Sequence, residues 1–131
     1  MFDNYIFIAD SCQNINQAGK VVGFQIKTLI PYYRGIPLSM VHDIQIEVDG
    51  KLIDQTMIRF SPNDGRDWFT LSEMETVALI KWEYGQPGTI SIQQDGGLAV
   101  GKHQVSLTVA IRVAYIPVPF AGTRTRMIEI V

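Results

Sequence analysis

"HQVSLTVAIRVAY", residues 103–115, decides the class of this chain. Val105, Leu107, Val109, Ile111, Val113 and Tyr115 fall on every second position, with Gln104, Ser106, Thr108 and Arg112 between them. Side chains alternate across a strand, so this period of two is the signature of a β-strand with one buried face. Strands usually run five or six residues, so a stretch this long predicts a bend or a bulge.

The same alternation recurs on either side. Phe24 and Ile26 alternate with Gln25 and Lys27, and Ile44, Ile46 and Val48 alternate with Gln45 and Glu47. Asp49-Gly50 follows directly and reads as a tight hairpin turn, because that pair tolerates the positive φ such turns need. A return strand is expected from about Lys51, interrupted or continued to Phe60. Ile80, Trp82 and Tyr84 form another alternating run, Ile90 and Ile92 a short one, Ile128 and Ile130 a closing one, and Tyr5 to Ala9 an opening one. Turn chemistry separates these runs at Gln17-Ala-Gly19, Ser61-Pro-Asn-Asp-Gly65, Gly85-Gln-Pro-Gly88 and Asp95-Gly-Gly97. One place reads as helical: Thr70-Leu-Ser-Glu73 has capping-box spacing, with Met74 and Val77 placed to bury one side of a turn. The prediction is all-β: a single antiparallel β-sandwich domain over residues 1–131, of about eight strands with one short helical turn.

The totals exclude several functions. The chain has 131 residues, a net charge of −2 and 18% charged residues, with no basic run to meet nucleic acid. Cys12 is the one cysteine, which rules out an intrachain disulfide or a cysteine cluster. The N-terminus carries an acid where a secretory signal needs base, and no apolar run reaches membrane-spanning length. The expectation is a soluble, cytoplasmic protein.

Catalytic chemistry is sparse. His42 and His103 are the two histidines, and both read as hydrogen-bonding residues at strand ends. No HxH or HExxH spacing, EF-hand loop or GxSxG elbow occurs, so no metal site and no nucleophile elbow are expected. Asp64 and Asp67 flank Gly65-Arg66 in what reads as a solvated loop, and Cys12 as a small, partly buried side chain.

Two segments are built differently. In "IPYYRGIPLSM", residues 30–40, Pro31 and Pro37 stiffen the chain before any partner arrives, which lowers the entropy lost on docking. Tyr32, Tyr33 and Arg34 are residue types enriched at interface hot spots. Successive residues of an extended chain point opposite ways, so one tyrosine can fill the core while the other faces out. "YIPVPF", residues 115–120, is the second such segment, with Pro117 and Pro119 unable to donate to a strand ladder. Together they predict a docking surface.

The ordered set MFDNYI, IPYYRGIPLSM, the Asp49-Gly50 hairpin, LSEMETV, KWEYG, the Gly-Gly-Leu segment and YIPVPF resembles the small β subunit of bacterial C-glycoside deglycosidases over nearly the whole chain. The resemblance implies an α/β hetero-oligomer. In it the α subunit, a sugar-isomerase-like TIM barrel, carries a divalent metal, usually manganese, and the acid–base residues. The β subunit is a β-sandwich bound to that barrel. The complex cleaves the C–C bond between a 3-oxo sugar and an aromatic, flavonoid-type aglycone, the 3-oxo sugar coming from a separate oxidoreductase. On this chain the resemblance implies no catalytic residue, no metal ligand and no activity in isolation. It does imply an interface or site-rim role for Tyr32, Tyr33, Arg34, Gly35, Pro37 and Leu38 in the first segment and for Pro117, Val118 and Pro119 in the second. The alternative is a free-standing carbohydrate-binding sandwich, with Trp68, Trp82 or Tyr32 stacking on sugar. A self-associating structural domain is a third reading.

Overall fold

The computed structural model describes residues 6–32, 34–112 and 119–130. The 103–115 pattern becomes β10 (Gly101–Ile111), whose Val105, Leu107, Val109 and Ile111 are all fully buried. Val113, Tyr115 and Tyr5 lie outside the described residues, and the rest of the expected opening strand, residues 6–9, forms no strand: Ile8 N donates to Lys27 O at 3.1 Å, and the chain then turns, with Ser11 N donating to Ile8 O at 3.2 Å. β10 sits between β4 (Val41–Val48) and β11 (Phe120–Ile130), antiparallel to both. The predicted bulge is present, and the extra residue belongs to the partner: Ala110 faces Asp43 and Ile111 faces Val41, so His42 of β4 is the inserted position. With β5 (Lys51–Leu52) these strands form a four-stranded sheet in the order β11-β10-β4-β5.

The second sheet has five strands in the order β1-β2-β9-β6-β7. They are β1 (Gln13–Gln17), β2 (Lys20–Thr28), β9 (Gly88–Gln93), β6 (Ile58–Ser61) and β7 (Phe69–Thr70). A two-stranded ladder of β3 (Ile36–Pro37) and β8 (Lys81–Trp82) completes the set. All pairings are antiparallel, and the inward residues of both large sheets meet in one core. Phe24, Ile26, Ile58, Phe60, Ile90 and Ile92 come from one side, and Ile44, Ile46, Val105, Leu107 and Val109 from the other. Each such side chain contributes about 1.5–3 kcal/mol on leaving water.

The sandwich is thus observed, with eleven strands among the described residues rather than about eight; four of them are two residues long. Three further local readings need correction. The run after Asp49-Gly50 pairs only through Leu52. Asp54 then accepts from Thr56 N at 2.9 Å to start a 3-10 turn (Gln55–Met57), and β6 crosses to the other sheet. The strand at Ile80–Tyr84 shrinks to Lys81–Trp82, leaving Tyr84 53% exposed. The closing strand, expected at Ile128 and Ile130, begins at Phe120.

Elsewhere the local chemistry holds. Asp49 and Gly50 both adopt positive φ, 52° and 84°, as a primed hairpin turn needs. The helical turn α1 (Leu71–Met74) carries both capping-box bonds: Glu73 N to Thr70 Oγ1 at 3.0 Å and Thr70 N to Glu73 Oε1 at 2.8 Å. Met74 beneath it is buried. Among the described residues no helix is long and apolar enough to cross a membrane.

Candidate functional site

The 30–40 segment folds mostly inward. Ile30, Pro31, Tyr32, Ile36 and Leu38 are buried, with Tyr32 only 3% and Leu38 0% exposed. Arg34 is exposed, and Gly35 and Pro37 are half-buried. Prolines in a strand are tolerated only at an edge, and the two-residue β3 is such a place. Its register sets Ile36 opposite Trp82 and Pro37 opposite Lys81. Pairing continues past it, with Leu38 N donating to Ile80 O at 3.0 Å and Ser39 N to Val77 O at 2.8 Å. The PYYRG and KWEYG runs, fifty residues apart in sequence, are therefore neighbours.

Gly35 makes this closeness possible. A Cβ there would stand 2.9 Å from Trp82 O and 3.2 Å from the Cα of Glu83, both backbone atoms that cannot swing away. Trp82 anchors the far side of the ladder. It is fully buried, meets Phe60 edge-on at 5.0 Å between ring centroids, and donates from Nε1 to Gln86 O at 3.0 Å. Outside this anchor, Tyr84 and Arg34 face solvent, and Leu79 is 97% exposed.

The third segment starts at the same end. Arg112 N donates to Met40 O at 2.7 Å and Arg112 Nε to His42 Nδ1 at 3.1 Å, tying the end of β10 to the end of the 30–40 segment. On the return, Phe120 pairs with Ile111, and Pro119 just before it is exposed. Tyr33, Pro117 and Val118 lie outside the described residues. The fold thus gathers residues 34–40, 77–86 and both ends of the 112–119 connection at one end of the sandwich. Sequence reasoning missed Leu79 and Tyr84 as part of this surface, because Tyr84 matches the alternation of a buried strand face. The Gly85-Gln-Pro-Gly88 turn immediately after it was the signal that the strand stops short.

The remaining chemistry is structural. His103 lies between Asp49 Oδ2 and Ala99 O, each 2.7 Å from a ring nitrogen. Both partners are acceptors, so the protonated ring suits the site, and its pKa is raised first by the Asp49 bond and then by the Ala99 bond. His42 is occupied by Arg112. Burial pushes the Cys12 thiol up to about 12, which keeps it protonated and a poor nucleophile. The acidic loop organises itself: Asn63 Nδ2 donates to Asp67 Oδ2 at 2.8 Å, and Gly65 N donates to Ser61 Oγ at 2.8 Å. Among the described residues no three His, Cys, Asp or Glu side chains gather as metal ligands. Of the three aromatics considered for sugar stacking, Trp82 and Tyr32 are buried, and Trp68 is 43% exposed.

Comparison with known proteins bears on this arrangement. The family model described as C-glycoside deglycosidase beta subunit matches residues 2–115. A protein of Eubacterium cellulosolvens named C-glycoside deglycosidase beta subunit is 31% identical over 102 residues, covering 78% of this chain and 68% of the relative. A protein of a Microbacterium species named 3'-dehydrocarminate deglycosidase beta subunit is 31% identical over 131 residues, covering 98% of this chain and 90% of the relative.

Proposed function

Since this chain belongs to the C-glycoside deglycosidase beta subunit family, we propose that it works in the cytoplasm as the non-catalytic β subunit of a complex that splits the C–C bond between a 3-oxo sugar and an aromatic, flavonoid-type aglycone. The partner is a TIM-barrel α subunit, and the end of the sandwich built from residues 34–40 and 77–86 with Arg112 and Pro119 braces it. One observation carries this reading: three parts of the chain distant in sequence are hydrogen-bonded into one end, Leu38 to Ile80 and Met40 to Arg112. A surface assembled from preset backbone loses little freedom on docking.

The chemistry divides between the chains accordingly. A ketone at C3 acidifies the neighbouring C2 proton. Loss of that proton to a base, with protonation of the aryl carbon, breaks the C1–aryl bond by elimination. Both histidines of this chain are engaged in holding the fold, and its thiol is protonated at neutral pH. We assign the base and the divalent metal, manganese, to the α subunit, and no chemical step to this one. The Microbacterium relative is named for a 3'-dehydro substrate, in keeping with an oxidised sugar.

Co-production with the α subunit tests the assignment. The two chains should co-purify, and cleavage of a 3-oxo C-glycoside should need both, with neither active alone. Turnover by this chain in isolation would sink the proposal. Within the complex, Gly35→Ala should weaken binding of the α subunit tenfold or more, because its Cβ forces β3 away from Trp82 and Glu83.

A further inference from the structure

β11 is the last strand of its sheet. β10 pairs one side of it without interruption from Gly101–Ile130 to Ile111–Phe120, and among the described residues no strand pairs the other side. An eleven-residue strand with no bulge and no proline within it is an open template for another extended chain. Its inward face is unusual. Residues directly opposite in an antiparallel pair share a face. Arg124 stands opposite Leu107 and Arg126 opposite Val105, and both of those β10 residues are fully buried. Two guanidinium groups therefore sit on the core side of the sheet.

Arg126 is satisfied: its Nε donates to Phe7 O at 2.8 Å, and the group lies 5.8 Å from the centre of the Phe7 ring. Arg124 is not. Its Nε is buried and has no hydrogen-bond partner among the described residues, and no salt bridge there involves either arginine. A buried cationic donor without an acceptor is an interaction left open. Further along the strand, a groove of ≈ 530 Å³ is lined by residues 125–129 together with Ala9, Asp10 and Cys12, leaving room along the edge.

We propose that an extended, acid-bearing segment of the α subunit adds to β11 as a strand, with its carboxylate taken by Arg124. The inference rests on the β-subunit reading and extends the proposed interface, since β11 starts at Phe120, directly after Pro119, in the end already described. A second copy of this chain is a poor occupant. Antiparallel pairing of two β11 strands about an axis at Thr125 sets Arg124 of each against Arg126 of the other, four like charges on one face. Glu129, the acid of β11, lies on the opposite face of the strand and cannot relieve them.

Hydrogen–deuterium exchange of the chain, alone and in complex with the α subunit, is the test. Peptides covering 120–130 should exchange quickly at about half their amides alone and slow tenfold or more in the complex. Arg124→Met should weaken α-subunit binding tenfold or more without lowering the melting temperature of the isolated chain, because it removes an orphaned donor. Arg124→Lys, which keeps the charge and loses Nε, should fall between the two. Equal exchange of 120–130 in both states, or wild-type binding by Arg124→Met, overturns the inference. So does protection already present in the isolated chain, light scattering then telling a dimer from self-coverage by the monomer. A complex protected at 34–40 and 77–86 but not at 120–130 removes only this inference; no complex at all removes the β-subunit reading with it.

Discussion

His103 is held between two acceptors, and that fixes how its contribution depends on pH. The bond to Asp49 raises the pKa of the ring above its ordinary 6.5, with the Ala99 carbonyl adding to it. The stabilisation is complete below the ordinary value and is lost as pH rises through the raised one. Asp49 is shifted the other way, down from 3.8, first by the His103 bond and then by Gln104 N. Its share is present above 3.8 and is lost as pH falls through the lowered pKa. Urea midpoints should therefore fall from the acid to the alkaline side of neutrality, and His103→Gln should flatten that slope. A second residue carries strain that a substitution can remove. Ala18 turns the β1–β2 hairpin at φ 51°, a left-handed conformation that L-residues other than asparagine and aspartate resist. Ala18→Asn should raise stability by about 0.5–1 kcal/mol, read from the same unfolding curves.

Among the elements, those with a complete local code were legible before any coordinates. Thr70 and Glu73 announced α1, and both of their bonds are formed. Thr70→Ala should cost about 1 kcal/mol, measurable by thermal unfolding. The box should also loosen in acid, because Glu73 is held below its ordinary 4.5 chiefly by Thr70 N and must be protonated to let go. β10 was equally plain, since its core-facing residues Val105, Leu107, Val109 and Ile111 are all aliphatic. β11 was hidden for the opposite reason. Its core face reads Gly122, Arg124, Arg126 before Ile128, so the apolar period of two surfaces only at the end. Arginine on an inward face makes sense only once the strand is seen at the sheet edge. The break after Leu52 was likewise concealed, because Lys51 to Phe60 contains enough apolar residues to pass for one strand. The Asp54 cap that interrupts it is a single side-chain bond. At the candidate site, the prolines singled out residues 30–40, but which of them face out depended on a pairing fifty residues away. Leu38 is taken into the core by the same ladder that leaves Arg34 outside.

For the whole molecule, class and function were legible to different depths. Alternation and turns were enough for the sandwich. The order of strands was not, because β6 and β9 neighbour each other across thirty residues and β10 lies between strands from both halves of the chain. The functional reading came from an ordered series of short motifs, and the fold adds a reason for their order. Residues 34–40, 77–86 and 111–112 make no surface individually; they become one through Leu38–Ile80, Ile36–Trp82 and Met40–Arg112. All three links join residues more than forty positions apart in the chain, and such distant closures are late events in folding. Under the proposed function, that end is therefore a certificate of completed folding: an unfinished chain would offer the α subunit nothing to hold, and assembly would discriminate against misfolded copies without a separate inspector. Refolding from urea in the presence of the α subunit should show capture lagging behind the first sheet signal and rising together with burial of Trp82.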